Sequence, residues 1–319
     1  FSTYALARRY SWPPTAFTVT VAVMTMPRLV FLSVSSGEEI IPAAVAVLCL
    51  LAINRVIEQP NIRDLLLLIL GILFSISGKA MCFIFPAILM ALSCVLLFRR
   101  HGAEIWRTMI IGKPWISVTA LLPALIFSQC WLFLYNIRHY GRWIGLSAGI
   151  PKNIHGLQGS LANFMRYMAE SIHVTLPVDI VCEWMLNFSV TDAVNRIYTL
   201  FSFFGSQGAG FPFEISHVPG TDLWFGPFGF LLVLPAVFFA LFRGHRRIKA
   251  MAVALVGYLY IVTLVFAWMP GNARFLTVFY MCGGVCTAFL LPPWRFTRVG
   301  KQVIQVIGAL LFFYVCMII

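Results

Sequence analysis

A chain of 319 residues that is 61% hydrophobic and 11% charged, with mean hydropathy +0.90, lies far from the balance of a water-soluble domain. Its formal charge of +12 comes from 23 basic against 11 acidic residues. The basic residues are spread along the chain instead of lying on one surface with aromatic platforms, which excludes nucleic acid as the expected partner.

Apolar runs long enough to cross a hydrocarbon core of about 30 Å recur down the whole length, and their size indicates helices, not short alternating strands. The expected fold class is an all-α polytopic membrane protein with about eight to nine transmembrane helices, a single transmembrane domain over 1–319. The chain opens on Phe1 with no signal-peptide pattern, which reads as a sequence truncated at its N-terminus. Spans are expected at 16–36, 40–53, 64–78, 80–98, 115–137, 223–242, 250–268 and 276–294, followed by a further apolar run at 303–319. The pair within 64–98 forms a tight helical hairpin.

Orientation follows from the basic residues. Arg8 and Arg9, Arg55 and Arg63, Arg99, Arg100, Arg107 and Lys113, Arg243, Arg246, Arg247 and Lys249, and Arg295, Arg298 and Lys301 fall in alternate loops with only Glu58, Asp64 and Glu104 as acids. The positive-inside rule makes those loops cytoplasmic. The opposite, outer side then holds short turns at 37–41, near 79 and at 269–275, and one long periplasmic or lumenal stretch, 138–222. Its five basic and six acidic residues give that stretch an ordinary aqueous composition.

Within the long stretch, SLANFMRYMAESIHVTL places Leu161, Phe164, Met165, Met168 and Ile172 at helical spacing, with Asn163, Arg166, Glu170 and His173 elsewhere around the turn. That pattern suits an amphipathic helix in the interface plane. TDAVNRIYTLFSFF at 191–204 repeats it, with Thr191 or Asp192 as N-cap. FFGSQGAGFPFEISHVPGTD is rich in glycine and proline and reads as an irregular loop.

Cysteines do not build a disulfide framework: seven of the eight lie in apolar runs and Cys182 stands alone in the outer loop. Cys282 and Cys286, one helical turn apart, read as small packing residues, not a metal site. His139, His155, His173 and His217 lack tight metal spacing. Asn187-Phe188-Ser189 matches the N-glycosylation acceptor pattern.

Five charges belong to the outer membrane face: Arg28, Glu38, Glu39, Lys79 and Arg274. Three cations there run against the positive-inside bias. Lys79, in FSISGKAMCFIFP, has no acid near it in sequence; it either snorkels to the headgroups or meets a bound anion such as a phosphate. Arg274, in MPGNARFLTVFYM, sits at a helix start, where a guanidinium beside free backbone donors suits a phosphate. Glu38 and Glu39 are either solvated turn residues near a helix N-terminus or carboxylates able to bind a metal or take a proton from a hydroxyl.

The run LLLLILGILFSISGKAMCFIFPAILMAL resembles a segment of polytopic GT-C glycosyltransferases of the protein O-mannosyltransferase and aminoarabinose transferase type, in which a glycine-containing helix ends in a lysine and re-enters through a proline-containing helix. MPRLVFLSVSSGEEIIPAAVAVLCLLAI is similar to their preceding helix pair, with Glu38 or Glu39 where the family usually carries Asp. DLWFGPFGFLLVLPAVFFAL and WMPGNARFLTVFYM resemble later segments of bacterial members. The resemblance implies transfer of a sugar, with inversion, from a polyprenyl-phosphate carrier to a lipid, glycan or protein acceptor at the outer face of a bacterial inner membrane. It assigns Glu38 or Glu39 to the acceptor hydroxyl and Lys79, Arg274 and, as a helper, Arg28 to the donor phosphate. It leaves a divalent metal ion open as a cofactor. The family's principal catalytic Asp lies in a first outer loop that residues 1–15 do not supply, so the chain is expected to hold the donor-binding half of the site and to be inactive alone. Other readings are an O-antigen polymerase or ligase, a secondary transporter, and a non-catalytic membrane scaffold. A transporter is disfavoured by the absence of an internal repeat and by charges at the outer face, not the midplane.

Overall fold

The computed structural model describes residues 1–26, 29, 40–78, 84–102, 122, 130–142, 153–171, 182–200, 225, 228–268 and 275–290, together with 299, 300, 302, 303, 305, 306 and 309. Helices α1 (Ser2–Ala7), α2 (Pro13–Met24), α3 (Ile40–Glu58), α4 (Ile62–Gly78), α5 (Ile84–His101), α6 (Cys130–Tyr140), α7 (Gly156–Ser171), α8 (Val190–Leu200), α9 (Leu234–Arg243), α10 (Arg246–Val265) and α11 (Leu276–Leu290) account for it, and no strand occurs among the described residues. The all-helical class expected from the apolar runs is therefore observed.

Three of these helices, α3, α5 and α10, are long and apolar enough to cross a membrane. At 1.5 Å per residue the 20 residues of α10 reach about 30 Å, the thickness of a hydrocarbon core. Much of the spans expected at 115–137 and 303–319 lies outside the described residues.

Several boundaries depart from the sequence reading for local reasons. In the span expected at 16–36, helix α2 covers 16–24 and begins earlier, at Pro13, opened by Trp12 in extended conformation and by proline in its first turn; Leu29 is again helical, and residues 27, 28 and 30–36 lie outside the described residues. Helix α2 closes at Met24, ahead of Pro27, whose ring disfavours helical geometry in the residue before it. The six-residue α1 was not anticipated, because one and a half turns carry too few positions to show a period; Leu6 and Ala7 are nonetheless fully buried. Helix α3 continues past the expected end at residue 53, and Asn54 Nδ2 bonds back to the Leu50 carbonyl at 2.9 Å. Helix α9 is preceded by a π-helical turn over Gly229–Val233. Pro235 lacks the N–H that would close an ordinary turn there, so the wider turn precedes it.

Helix α11 is the centre of the bundle. Every residue from Leu276 to Ala288 is buried, as expected for a helix that is hydrophobic all round. In lipid, helices associate through close van der Waals contact, not apolar transfer, so small residues decide where they meet. A Cβ on Gly284 would lie 2.1 Å from Cγ2 of Val23 on α2, and one on Gly283 would lie 2.9 Å from both Val233 and Val237. Cys282 and Cys286 are fully buried in the same stretch. Across the α3–α4 pair, Gly71 meets Cys49 Sγ in the same way. By contrast only 28% of α5 is buried, against 67% of α3, so α5 is peripheral and most of its apolar surface faces outward.

Candidate functional site

Among the described residues, the basic stretches around Arg9, Arg55, Arg99 and Arg247 converge at one end of the bundle, while Arg107, Lys113, Arg295, Arg298 and Lys301 lie outside the described residues. Glu58, at the end of α3, bridges Arg9, after α1, and Arg247, in the first turn of α10. Arg55 approaches Asp64 at 3.6 Å, and His101 Nε2 lies 3.3 Å from the Ile57 carbonyl. Tyr10 donates its hydroxyl to Asn54 Oδ1 at 2.7 Å and lies 5.3 Å, ring to ring, from His245. Burial pushes the Tyr10 phenol up to about 12, with Arg247 and Arg9 pulling in the other direction. Together Arg9, Tyr10, Glu58, His245, Arg246 and Arg247 line a cavity of about 350 Å³. A single basic end is the arrangement that the positive-inside reading requires.

The opposite end of α10 leads toward residues 269–274, which include Arg274 and lie outside the described residues. A helix leaves its last carbonyls without intrahelical donors. Here a segment 100 or more residues away in sequence supplies them: Asn163 Nδ2 donates to the carbonyls of Thr263 (3.0 Å) and Phe266 (2.9 Å), Asn153 Nδ2 to that of Leu264 (3.1 Å), and the Asn153 backbone N–H to that of Val265 (3.1 Å). Asn163 Oδ1 in turn accepts the Trp268 N–H at 3.0 Å, and Ser160 Oγ lies 2.9 Å from Thr263 Oγ1. After residues 269–274, the Tyr258 hydroxyl donates to the Phe275 carbonyl at 2.8 Å. Buried polar bonds thus hold both shoulders of residues 269–274, at Trp268 and at Phe275.

This arrangement adds a specific contact to the amphipathic helix expected at α7. Leu161, on its apolar stripe, is 52% exposed, while Ser160, Asn163, Arg166 and Tyr167 are buried at 2% or less. Phe164 and Met168 flank that contact, half-buried. The helix docks through its polar residues because the end of α10 offers carbonyls, which an apolar stripe cannot satisfy. Arg166, with Asn163 Oδ1 at 3.5 Å from its Nη1, was not singled out from the sequence as a site residue. The signal was present: Ser160, Asn163 and Arg166 recur every three residues. At α8, Ser189 and neither Thr191 nor Asp192 is the N-cap, its hydroxyl accepting the Asp192 N–H at 3.1 Å.

Arg28, Glu38, Glu39, Lys79 and Arg274 all lie outside the described residues. Described chain adjoins each of them: α2 ends shortly before Arg28, α3 begins at Ile40 after Glu39, α4 ends at Gly78 before Lys79, and Phe275 follows Arg274. Helix α11 packs against α2 and α3, and α3 against α4. His173 and His217 likewise lie outside the described residues; His139 Nδ1 is 3.0 Å from the Tyr135 carbonyl one turn earlier, and the His155 backbone N–H donates to Asn153 Oδ1. Among the described residues no three His, Cys, Asp or Glu side chains gather as metal ligands. No family model, curated protein or solved structure matches the chain.

Proposed function

We propose that the chain is the donor-binding part of a multi-pass membrane glycosyltransferase, with eight to nine spans, that takes its sugar from a polyprenyl-phosphate carrier at the outer face of a bacterial inner membrane. The observation that supports this reading is that the described residues on either side of 269–274 are held by buried hydrogen bonds. An arginine used to hold a phosphate gains from a fixed backbone, and Asn163 and Tyr258 fix Trp268 and Phe275, which flank the segment containing Arg274. The gathering of Arg9, Glu58 and Arg247 at the far end supports the orientation that puts Lys79 and Arg274 outside.

In this reading Lys79 and Arg274, helped by Arg28, neutralise the phosphate as it leaves. The acceptor hydroxyl oxygen attacks the anomeric carbon from the face opposite the phosphate, and the C–O bond to the phosphate breaks with its electron pair. The hydroxyl proton passes to a carboxylate, Glu38 or Glu39, and the products are the inverted glycoside and the polyprenyl phosphate. The acceptor is a lipid, a glycan or a protein.

The test is equilibrium binding of a polyprenyl-phosphate sugar to the purified chain and to its Lys79→Glu/Arg274→Glu variant, which should lose the donor while keeping its helical content. Unchanged donor binding in a folded charge-swapped chain would overturn the assignment and favour a scaffold.

A further inference from the structure

A second groove opens at the basic end of the bundle, between α5 and α10, with a volume of about 970 Å³. Its rim is cationic on both sides: Arg99 and Arg100 end α5, while Arg246 and Lys249 lie in the first turn of α10. Its deeper wall is apolar, formed by Leu92 and Leu96 one and two turns before the arginines on α5 and by Val253 one turn after Lys249 on α10. The two helices run in opposite directions and present the same gradient, apolar toward the membrane interior and cationic at its edge.

Glu58 engages Arg247 and Arg9 in the adjoining cavity. Among the described residues, Arg99, Arg100, Arg246 and Lys249 form no ion pair with an acid. At the start of α10 this is costly, because cations crowd the positive end of a helix dipole. A surplus of cytoplasmic cations explains positive charge in both loops, but not its convergence from two helices onto one groove with an apolar floor. Four cations above an apolar wall are complementary to an amphiphile whose head is anionic and whose chains lie in the bilayer.

We propose that the α5–α10 groove binds an anionic phospholipid of the leaflet at the basic end, its phosphate among Arg99, Arg100, Arg246 and Lys249 and one chain along Leu92, Leu96 and Val253. The groove is separate from the outer turn, and the proposal does not rest on the transferase reading. Basic pockets between membrane helices on the cytoplasmic side are suited to such headgroups, and each cation near the surface contributes about a five-fold change in affinity.

The test is native mass spectrometry of the full chain extracted from vesicles of phosphatidylcholine and phosphatidylglycerol in equal parts. The unmodified chain should retain phosphatidylglycerol in preference to phosphatidylcholine, and Arg99→Gln/Lys249→Gln should weaken that retention about 25-fold. Arg99→Lys/Arg246→Lys, which keeps the charge, should retain it, and so should Arg138→Gln/Arg142→Gln, whose exposed cations lie outside the groove. Equal retention of the two lipids by the unmodified chain would overturn the proposal whether or not any variant folds. Displacement of the lipid by inorganic phosphate alone would also overturn it, by showing a simple anion site with no role for the apolar wall.

Discussion

Replacing Asn163 with alanine should loosen α7 from the end of α10 far more than replacing Leu161, which is half-exposed. Asn163→Ala strips partners from the carbonyls of Thr263 and Phe266 and from the Trp268 N–H, three backbone groups beside a helix end. A buried polar group left without a partner costs about 1–3 kcal/mol. Water can reach a vacated helix end, which places each group near the lower bound and the total at about 3 kcal/mol. That corresponds to roughly a 100-fold rise in the open population of α7. Leu161, half-exposed, should cost under about 0.5 kcal/mol on truncation. Hydrogen exchange of the α7 backbone in detergent resolves this local opening. Exchange should accelerate about 100-fold in Asn163→Ala and stay near the parent rate in Leu161→Ala. Acceleration in Leu161→Ala with none in Asn163→Ala would refute the polar docking of α7.

Gly284→Val should destabilise the bundle by about 2–3 kcal/mol, read as a lowered thermal midpoint in detergent, because its Cβ would meet the stiff, β-branched Val23 at 2.1 Å; an unchanged midpoint would mean that α2 and α11 are not in that contact. Glu58→Gln should cost about 1–2 kcal/mol and lose its salt sensitivity, since two partly exposed arginines are left facing each other and such pairs are screened by solvent; a double-mutant cycle with Arg247→Gln measures the coupling. Because the Tyr10 phenol is pushed from 10.0 up to about 12, the neutral form is favoured by folding. The stability it confers is complete below pH 10 and is lost as pH rises toward 12. Thermal midpoints across that window should fall less in Tyr10→Phe than in the parent; an equal fall would show that another group titrates there.

The helical class and the basic end were legible in the sequence because both depend on composition over long windows. Runs of apolar residues specify spanning helices, and arginines such as Arg9, Arg55, Arg99 and Arg247 mark one side regardless of tertiary detail. Helix ends were less legible. Asn54 bonds back onto its own helix beyond the apolar run, and Pro235 widens the turn before α9, features that hydrophobic periodicity does not register. The docking of α7 onto α10 was not legible, because an amphipathic pattern speaks to the interface plane and not to the polar residues that meet another helix. What lies against α7 is the carbonyl end of α10, contributed by residues 100 or more positions away, and no local pattern announces such a partner. The recurrence of Ser160, Asn163 and Arg166 was the available clue, and it becomes informative only once α10 is known to end there.

In the proposed reading, outer-face cations hold a lipid-linked phosphate near a segment whose flanks, Trp268 and Phe275, are fixed by Asn163 and Tyr258. The affinity of the purified chain for a polyprenyl-phosphate sugar, compared among the parent, Lys79→Glu/Arg274→Glu and Asn163→Ala, tests it. The parent should bind saturably, the charge-swapped chain should lose binding, and Asn163→Ala should bind more weakly. Equal affinity in all three, with helical content preserved, would contradict it.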